Sequence, residues 1–342
     1  MLKNRSKGRV LADLYGKLDG FKVPECMLIS VHQWMENEQS VVESIEKRFG
    51  EKILAVRSSA SDEDGEFNSN AGEYDSILNV LSTDRNAIRS AVETVINSYT
   101  NNRNNIDKEE ILIQEMVLNV SISGVIFTHE LNTGAPYYVI NYDDISGLTN
   151  TVTAGDGEYA NRTLYIHRGA VKSKAVHSKR FQNIIEAVLE LEYKTSNHFL
   201  DIEFALDDDL QPYLLQVREI TTKENWNRAI AKSIDSELKE IHSFIKDRFK
   251  PSLGVYGETT IFGQMPDWNP VEMIGRTPSA LAFSLYSTLI TDNAWCRARK
   301  KMGYMTPDLQ PLMVSLAGQP FIDTRLSFHS FLPKDLPDNI AE

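Results

Sequence analysis

Residues 201–218 read DIEFALDDDLQPYLLQVR, and how this stretch is taken decides the architecture. Two apolar runs, Phe199 to Leu206 and Pro212 to Val217, flank Asp207, Asp208 and Asp209. Three carboxylates between such runs read as a polar hairpin turn joining two antiparallel strands. Side chains alternate along a strand, so Asp201 and Glu203 share one face of the first, and Gln216 and Arg218 one face of the second. Pairing through the turn brings Glu203 close to Gln216. Polar residues facing one way on two otherwise apolar strands need an account. A carboxylate and an amide oxygen are hard ligands suited to Mg²⁺, with Arg218 placed where negative charge develops in a phosphoryl transfer. A satisfied buried Glu–Arg pair accounts for the same pattern equally well.

Upstream, further strands crowd together at Ile111 to Met116, Ser121 to Thr128, Tyr137 to Tyr142 and Thr163 to His167, and a helix over Ser178 to Tyr193 separates them from the hairpin. Earlier still, Val10, Leu11, Leu14 and Leu18 recur at helical spacing, Cys26 to Ser30 and Lys52 to Val56 read as strands, and Val31 to Phe49 and residues 84–99 read as helices. Helices mixed with mostly antiparallel hairpins predict an α+β fold rather than a doubly wound sheet. Arg57 to Gly72 (RSSASDEDGEFNSNAG) has a loop's composition, and loops of that length inside a domain are often functional.

The chain has 342 residues and a net charge of −12, which suits neither a phosphate-backbone binder nor any partner that needs a basic surface. Its two cysteines, Cys26 and Cys296, form no CxxC pair, which fits a reducing cytosol and excludes a disulfide framework. No apolar run is long enough for a membrane span. These readings predict a cytoplasmic protein that binds neither nucleic acid nor membrane. GxxxxGK[ST], a strand-borne GxGxxG and HExxH are all missing. From Glu224 to Phe249 a charged amphipathic stretch reads as a connector, and residues 252–342 hold eight of the 12 prolines.

Two other segments suit a nucleotide. Arg57, at the end of a strand, can pair bidentately with phosphate oxygens, with Ser58 and Ser59 offering hydroxyls from the loop. Gln114, Met116 and Val117 can form an apolar slot with backbone donors for a base. Taken singly, the first also reads as a surface loop and the second as ordinary core. In order, the segments resemble the nucleotide domain of the phosphoenolpyruvate synthase and pyruvate phosphate dikinase family. The resemblance is carried by Lys7 with Gly8, Val56 to Ser59, Ala71 with Gly72, Gln114 to Val117, Ser123 to Thr128, Gly147 and Leu148 through Gly155, Asp201 to Glu203, and Leu215 to Arg218. It covers about residues 1–222.

The resemblance implies an ATP-grasp fold of two subdomains over 1–222, followed by a helical connector over 223–252 and a mixed region from 253. It implies ATP and Mg²⁺ as cofactors. Lys7, Arg57 and Arg218 would contact the phosphates, Arg57 and Arg218 acting in the transfer, and Ser58, Ser59 and Thr128 would add contacts. Gln114, Met116 and Val117 would form the adenine hinge, and Glu203 and Gln216 would hold the metal. Asn150 stands where the family often has a glutamate toward the ribose. Residues 254–304 are similar to the segment that follows the nucleotide domain in the L-glutamine kinase of capsular phosphoramidate biosynthesis, a kinase that phosphorylates the glutamine amide and releases AMP and phosphate. Pyruvate is the alternative acceptor, and a non-catalytic nucleotide-binding scaffold the alternative role. Glu272 and Arg276 could then receive an amino acid's ammonium and carboxylate, or belong to a docking surface. The family passes phosphate through a histidine in a Gly-Gly-x-x-Ser-His setting. His329, in Ser327-Phe328-His329-Ser330, lacks those glycines. The sequence therefore predicts a phosphocarrier domain beyond this chain, either downstream or on a separate polypeptide.

Overall fold

In a computed structural model, residues 5–60, 76–102, 106–149, 162–172, 176–221, 226–227, 229–264, 269–306 and 310–341 are described. They divide into two units, Met1–Ala231 and Lys232–Glu342.

The first unit opens with α1 (Lys7–Leu14), whose Val10, Leu11 and Leu14 are buried. Gly8 sets how close this helix lies: a Cβ there would stand 2.3 Å from Leu28 Cδ2 and 2.9 Å from Ser59 Oγ. β1 (Cys26–Ser30), β2 (Ile53–Ser59), β3 (Ser76–Leu81) and β4 (Glu110–Glu115) form an antiparallel sheet in the order β1-β4-β2-β3. One face is covered by α2 (Val31–Phe49) and α3 (Arg85–Asn102), which bury Trp34, Ile45, Val92 and Tyr99 against Leu54, Val56 and Ile113. A reciprocal Ser30–Gln33 capping box starts α2.

A second antiparallel sheet holds β5 (Val120–Phe127), β6 (Tyr137–Asp143), β7 (Arg162–His167), β8 (Leu200–Asp207) and β9 (Pro212–Glu219), in the order β7-β6-β5-β8-β9. α4 (Arg168–Lys172) and α5 (Lys179–Thr195) follow β7. α5 lays Ile184, Ile185, Val188 and Leu191 on the back of this sheet, against Ile122, Ile140, Ile202 and Phe204, and α1 joins the same core. The α+β class read from the sequence is the class of the structure, with antiparallel sheets throughout.

Two local expectations need correction. Arg57, Ser58 and Ser59 do not begin a loop; they complete β2, paired with Leu112, Ile111 and Glu110 of β4. The sheet's demand for backbone partners overrides their loop-like composition. β3 has no counterpart in the sequence reading, because its short apolar pattern is broken by Asn79 in the left-handed conformation. Beyond Ala60, which is buried, the rest of the expected loop, with Ala71 and Gly72, lies outside the described residues, as do Asn150 and Gly155.

The second unit contains α6 (Ile230–Arg248) from Lys232 onward, then α7 (Pro270–Ile274) and α8 (Ala280–Tyr286). A π-helix (Ser287–Trp295) runs into α9 (Cys296–Lys301). β10 (Phe262–Gly263), β11 (Met313–Leu316) and β12 (Gln319–Asp323) make a small sheet, and α10 (Thr324–His329) and α11 (Asp338–Ala341) close the unit. Its core is Trp295, Leu312, Met313, Ile322 and Leu326. The buried His329 ring has both nitrogens engaged: Nδ1 donates to Arg325 O at 2.7 Å and Nε2 accepts from Tyr256 N at 2.7 Å. Among the described residues no helix is long and apolar enough to cross a membrane.

Candidate nucleotide site

Helices cover the back of the second sheet, and its front carries the polar residues singled out in the sequence. Across β8 and β9, Asp201 pairs with Arg218 and Glu203 with Gln216. That register depends on a bulge. From the turn, Leu206 pairs with Pro212, Ala205 with Tyr213 and Phe204 with Leu214; one residue of β9 is then skipped before Glu203 meets Gln216. The extra residue is Leu215. Were Leu215 to take a place in the ladder, strict alternation would send Gln216 and Arg218 into the hydrophobic back and bring Val217 to the front. The consecutive Leu214 and Leu215 in the sequence are its trace.

The Arg218 guanidinium is held from the side, Nε donating to Asp201 Oδ2 at 2.7 Å. Asp201, which the sequence reading placed on this face without assigning it a role, is thus part of the arrangement. From the first sheet, Arg57 Nη1 reaches Glu203 Oε2 at 3.5 Å, with 11% and 22% of the two side chains exposed. The two sheets therefore meet at an arginine and a carboxylate. Gln114 and Arg57 project from the same face of the first sheet, since Ala55 pairs with Gln114 and Arg57 with Leu112. Both keep a buried donor, Gln114 Nε2 and Arg57 Nε, with no hydrogen-bond partner among the described residues. Buried donors are rarely left so.

At the start of α1, Lys7 Nζ donates to Ser58 Oγ at 3.2 Å, and Gly8 N donates to Ser59 Oγ at 3.0 Å. Lys7, Ser58 and Arg57 thus gather at the end of β2. Met116 and Val117 lie apart from that cluster, lining a hollow of about 280 Å³ with Lys22, Leu118, Asp207 and Tyr213. The chain passes here from β4 to β5.

Thr128 is committed within its own unit. Thr128 is fully buried, and its hydroxyl donates to His198 O at 2.7 Å while accepting from Leu200 N at 2.8 Å. The hydroxyl clasps the end of β5 to the segment that opens β8, with its donor role and an acceptor role taken there. Glu272 and Arg276 are exposed residues of the second unit, Glu272 in the first turn of α7 and Arg276 just beyond it.

The residue after Thr128 carries a pH-dependent term. His129 packs against the rings of Phe199 and Trp226, with centroids 4.8 and 5.7 Å away, and those two rings touch each other. Burial, aided by the Arg168 charge, pushes its pKa from 6.5 down to about 4. The folded chain keeps this ring neutral where the unfolded chain protonates it. Its contribution is therefore intact above the unfolded value and is lost as pH falls through the folded one. The expected result is a thermal midpoint that drops between pH 7 and 4, and a shallower drop in His129→Gln. Melting curves followed by circular dichroism over that range test it; equal slopes would remove His129 as a cause.

Residues 32–187 match the family described as "Pyruvate phosphate dikinase, AMP/ATP-binding domain". The match is a little under half of the chain, and it takes in Arg57, Gln114 and Met116 but stops before β8 and β9. No curated protein matches. Among solved structures, D-alanyl-alanine synthetase A from Vibrio cholerae is similar at 16% identity and a TM-score of 0.38, over 64% of this chain and 56% of that one. D-alanine–D-alanine ligase from Helicobacter pylori is similar at 12% identity and a TM-score of 0.35, over 70% and 60%. The chain thus spans less than two thirds of the length of these proteins.

Proposed function

We propose that this chain is the ATP-binding part of an ATP-dependent phosphotransferase with an ATP-grasp nucleotide site at the meeting of its two sheets. The observation that carries the reading is the convergence of Arg57 on Glu203, opposite Gln216 and beside the Asp201–Arg218 pair. The family match over residues 32–187 supports the nucleotide. The unsatisfied Arg57 Nε and Gln114 Nε2 support a ligand that accepts hydrogen bonds there.

In this reading the base lies in the hollow at Met116 and Val117, and the phosphates extend toward Lys7, Arg57 and Arg218. Glu203 and Gln216 fit Mg²⁺: both present hard oxygen donors, on adjacent strands, neither of them buried, and phosphate and water would complete the six-fold coordination. Such a metal would neutralise phosphate charge. Among the described residues no group of three His, Cys, Asp or Glu forms a metal cluster, so the nucleotide itself would supply much of the coordination. Arg57 would exchange Glu203 for a phosphate oxygen as the nucleotide enters. Arg218, aimed by Asp201, would face the charge that builds as the phosphoryl group leaves. A histidine on another domain would receive that group, and L-glutamine is the proposed final acceptor.

Isothermal titration of the chain with Mg-ATP tests the site: one equivalent binds, and chelating the metal weakens binding. No binding by a folded chain overturns the reading. The acceptor is tested on the full-length protein, where glutamine, and not pyruvate, is expected to stimulate AMP formation.

A further inference from the structure

On the helix-covered side of the second sheet lies an ion pair that the proposed chemistry leaves unused. Glu192 of α5 is 2% exposed. Its two oxygens accept from Arg168 Nη1 and Nη2 at 2.7 and 2.8 Å. Arg168 also covers the Tyr138 ring, 4.6 Å from its centroid. The same Nη1 donates to Thr128 O at 3.1 Å. Thr128 in turn is bound three times to β8 and the residues that lead into it: its N donates to Leu200 O, its hydroxyl donates to His198 O, and Leu200 N donates to that hydroxyl. One residue further along both strands, Phe127 pairs with Asp201, whose carboxylate holds Arg218.

Taking two charges out of water is costly, and an apolar pair of similar size often serves stability as well or better. Stability alone is therefore a poor account of Arg168 and Glu192. Glu192 Oε2 also accepts from the Tyr138 hydroxyl at 3.5 Å and lies 3.4 Å from His198 Nδ1, contacts a neutral polar group could make; what needs the arginine is the fixed cation on the carbonyl of Thr128, at the end of the strand clasp that carries Asp201. We propose that Arg168 and Glu192 are positioning residues for the Asp201–Arg218 arm of the site, acting through Thr128 and Leu200. This rests on the reading of that arm as phosphate-binding. A carboxylate at a strand end moves with the strand, and an arginine gripped through Nε moves with the carboxylate. Small displacements of such groups have large effects on a bound phosphate.

The test uses a double variant, Arg168→Met with Glu192→Met, which removes both charges and leaves neither unpaired. Its thermal midpoint and its Mg-ATP affinity by calorimetry are compared with wild type, with Arg218→Ala, and with all three substitutions combined. The expected result is a midpoint close to wild type, an affinity about five- to tenfold lower, and no further loss when the double variant is added to Arg218→Ala. That lack of additivity is what a purely structural role would not produce. If the double variant does not fold, Arg168→Lys keeps the charge but loses the two-pronged grip, and the same weakening and lack of additivity are expected. Wild-type affinity in the folded variant overturns the positioning role, as does a loss that adds fully to that of Arg218→Ala. Failure of the nucleotide reading shows separately, as wild type that binds no Mg-ATP or an Arg218→Ala variant that binds normally; it overturns the proposal as well.

Discussion

Mg-ATP binds about ten- to a hundredfold more weakly to Glu203→Ala and to Arg218→Ala than to wild type, if the front of the second sheet is the nucleotide site. Hydrogen bonds to charged groups contribute about 1.5–3 kcal/mol each, and 1.4 kcal/mol is a factor of ten in affinity. The two substitutions act differently. Glu203→Ala removes the carboxylate offered to the metal and leaves Arg57 without the ion pair it makes across the sheets. Arg218→Ala removes the guanidinium and leaves Asp201, only 7% exposed, without that partner. Arg218→Lys should fall between wild type and alanine, because a point charge remains while the planar fork is lost. Calorimetry on variants shown to be folded by circular dichroism is the measurement. Affinities within twofold of wild type in both alanine variants would place the nucleotide elsewhere.

Gly124→Ala should cost about 3 kcal/mol or more of folding stability, although it adds one methyl group. A Cβ at Gly124 would stand 2.1 Å from Asn141 O and 2.9 Å from Tyr142 Cα. Both are backbone atoms of β6, so no side chain can turn aside to make room. β5 and β6 would have to part in the middle of the sheet, where Gly124 pairs with Tyr142 on one side and Phe204 on the other. For a unit of this size, that loss lowers the thermal midpoint by roughly 6–12 °C. A midpoint within 2 °C of wild type would mean that the strands are not packed as closely as the structure has them.

What the sequence made legible follows the range of the forces involved. The hairpin at 201–218 could be read because alternation and turn chemistry are local, and both act within a few residues. The pairing of Glu203 with Gln216 was anticipated, but the bulge that makes it possible was not, since an extra residue in one strand shows only against its partner. Arg57 could be flagged as a strand-end arginine. Its encounter with Glu203, 146 residues later in the chain, depends on how two sheets meet. Composition misled at Ser58 and Ser59, whose polarity suggests a loop while β4 and α1 supply their partners. Thr128 is the reverse case: its motif suggested a ligand contact, and its hydroxyl serves the backbone of β8.

The skipped residue in β9 gives the hairpin a parity. Counted from the turn, positions up to Tyr213 obey one rule for which side they face, and positions from Gln216 onward obey the opposite rule. Chain length can therefore change within the turn at 207–211 without altering which side chains face the nucleotide. Loss of the skipped residue would leave a regular ladder with Gln216 still opposite Glu203, whereas one residue more between 213 and 216, if it took a place in the ladder, would exchange the site's glutamine and arginine for valine. Descendants of this chain can be expected to vary freely in the length of that turn, and to lose a residue from the short run beyond it more readily than to gain one.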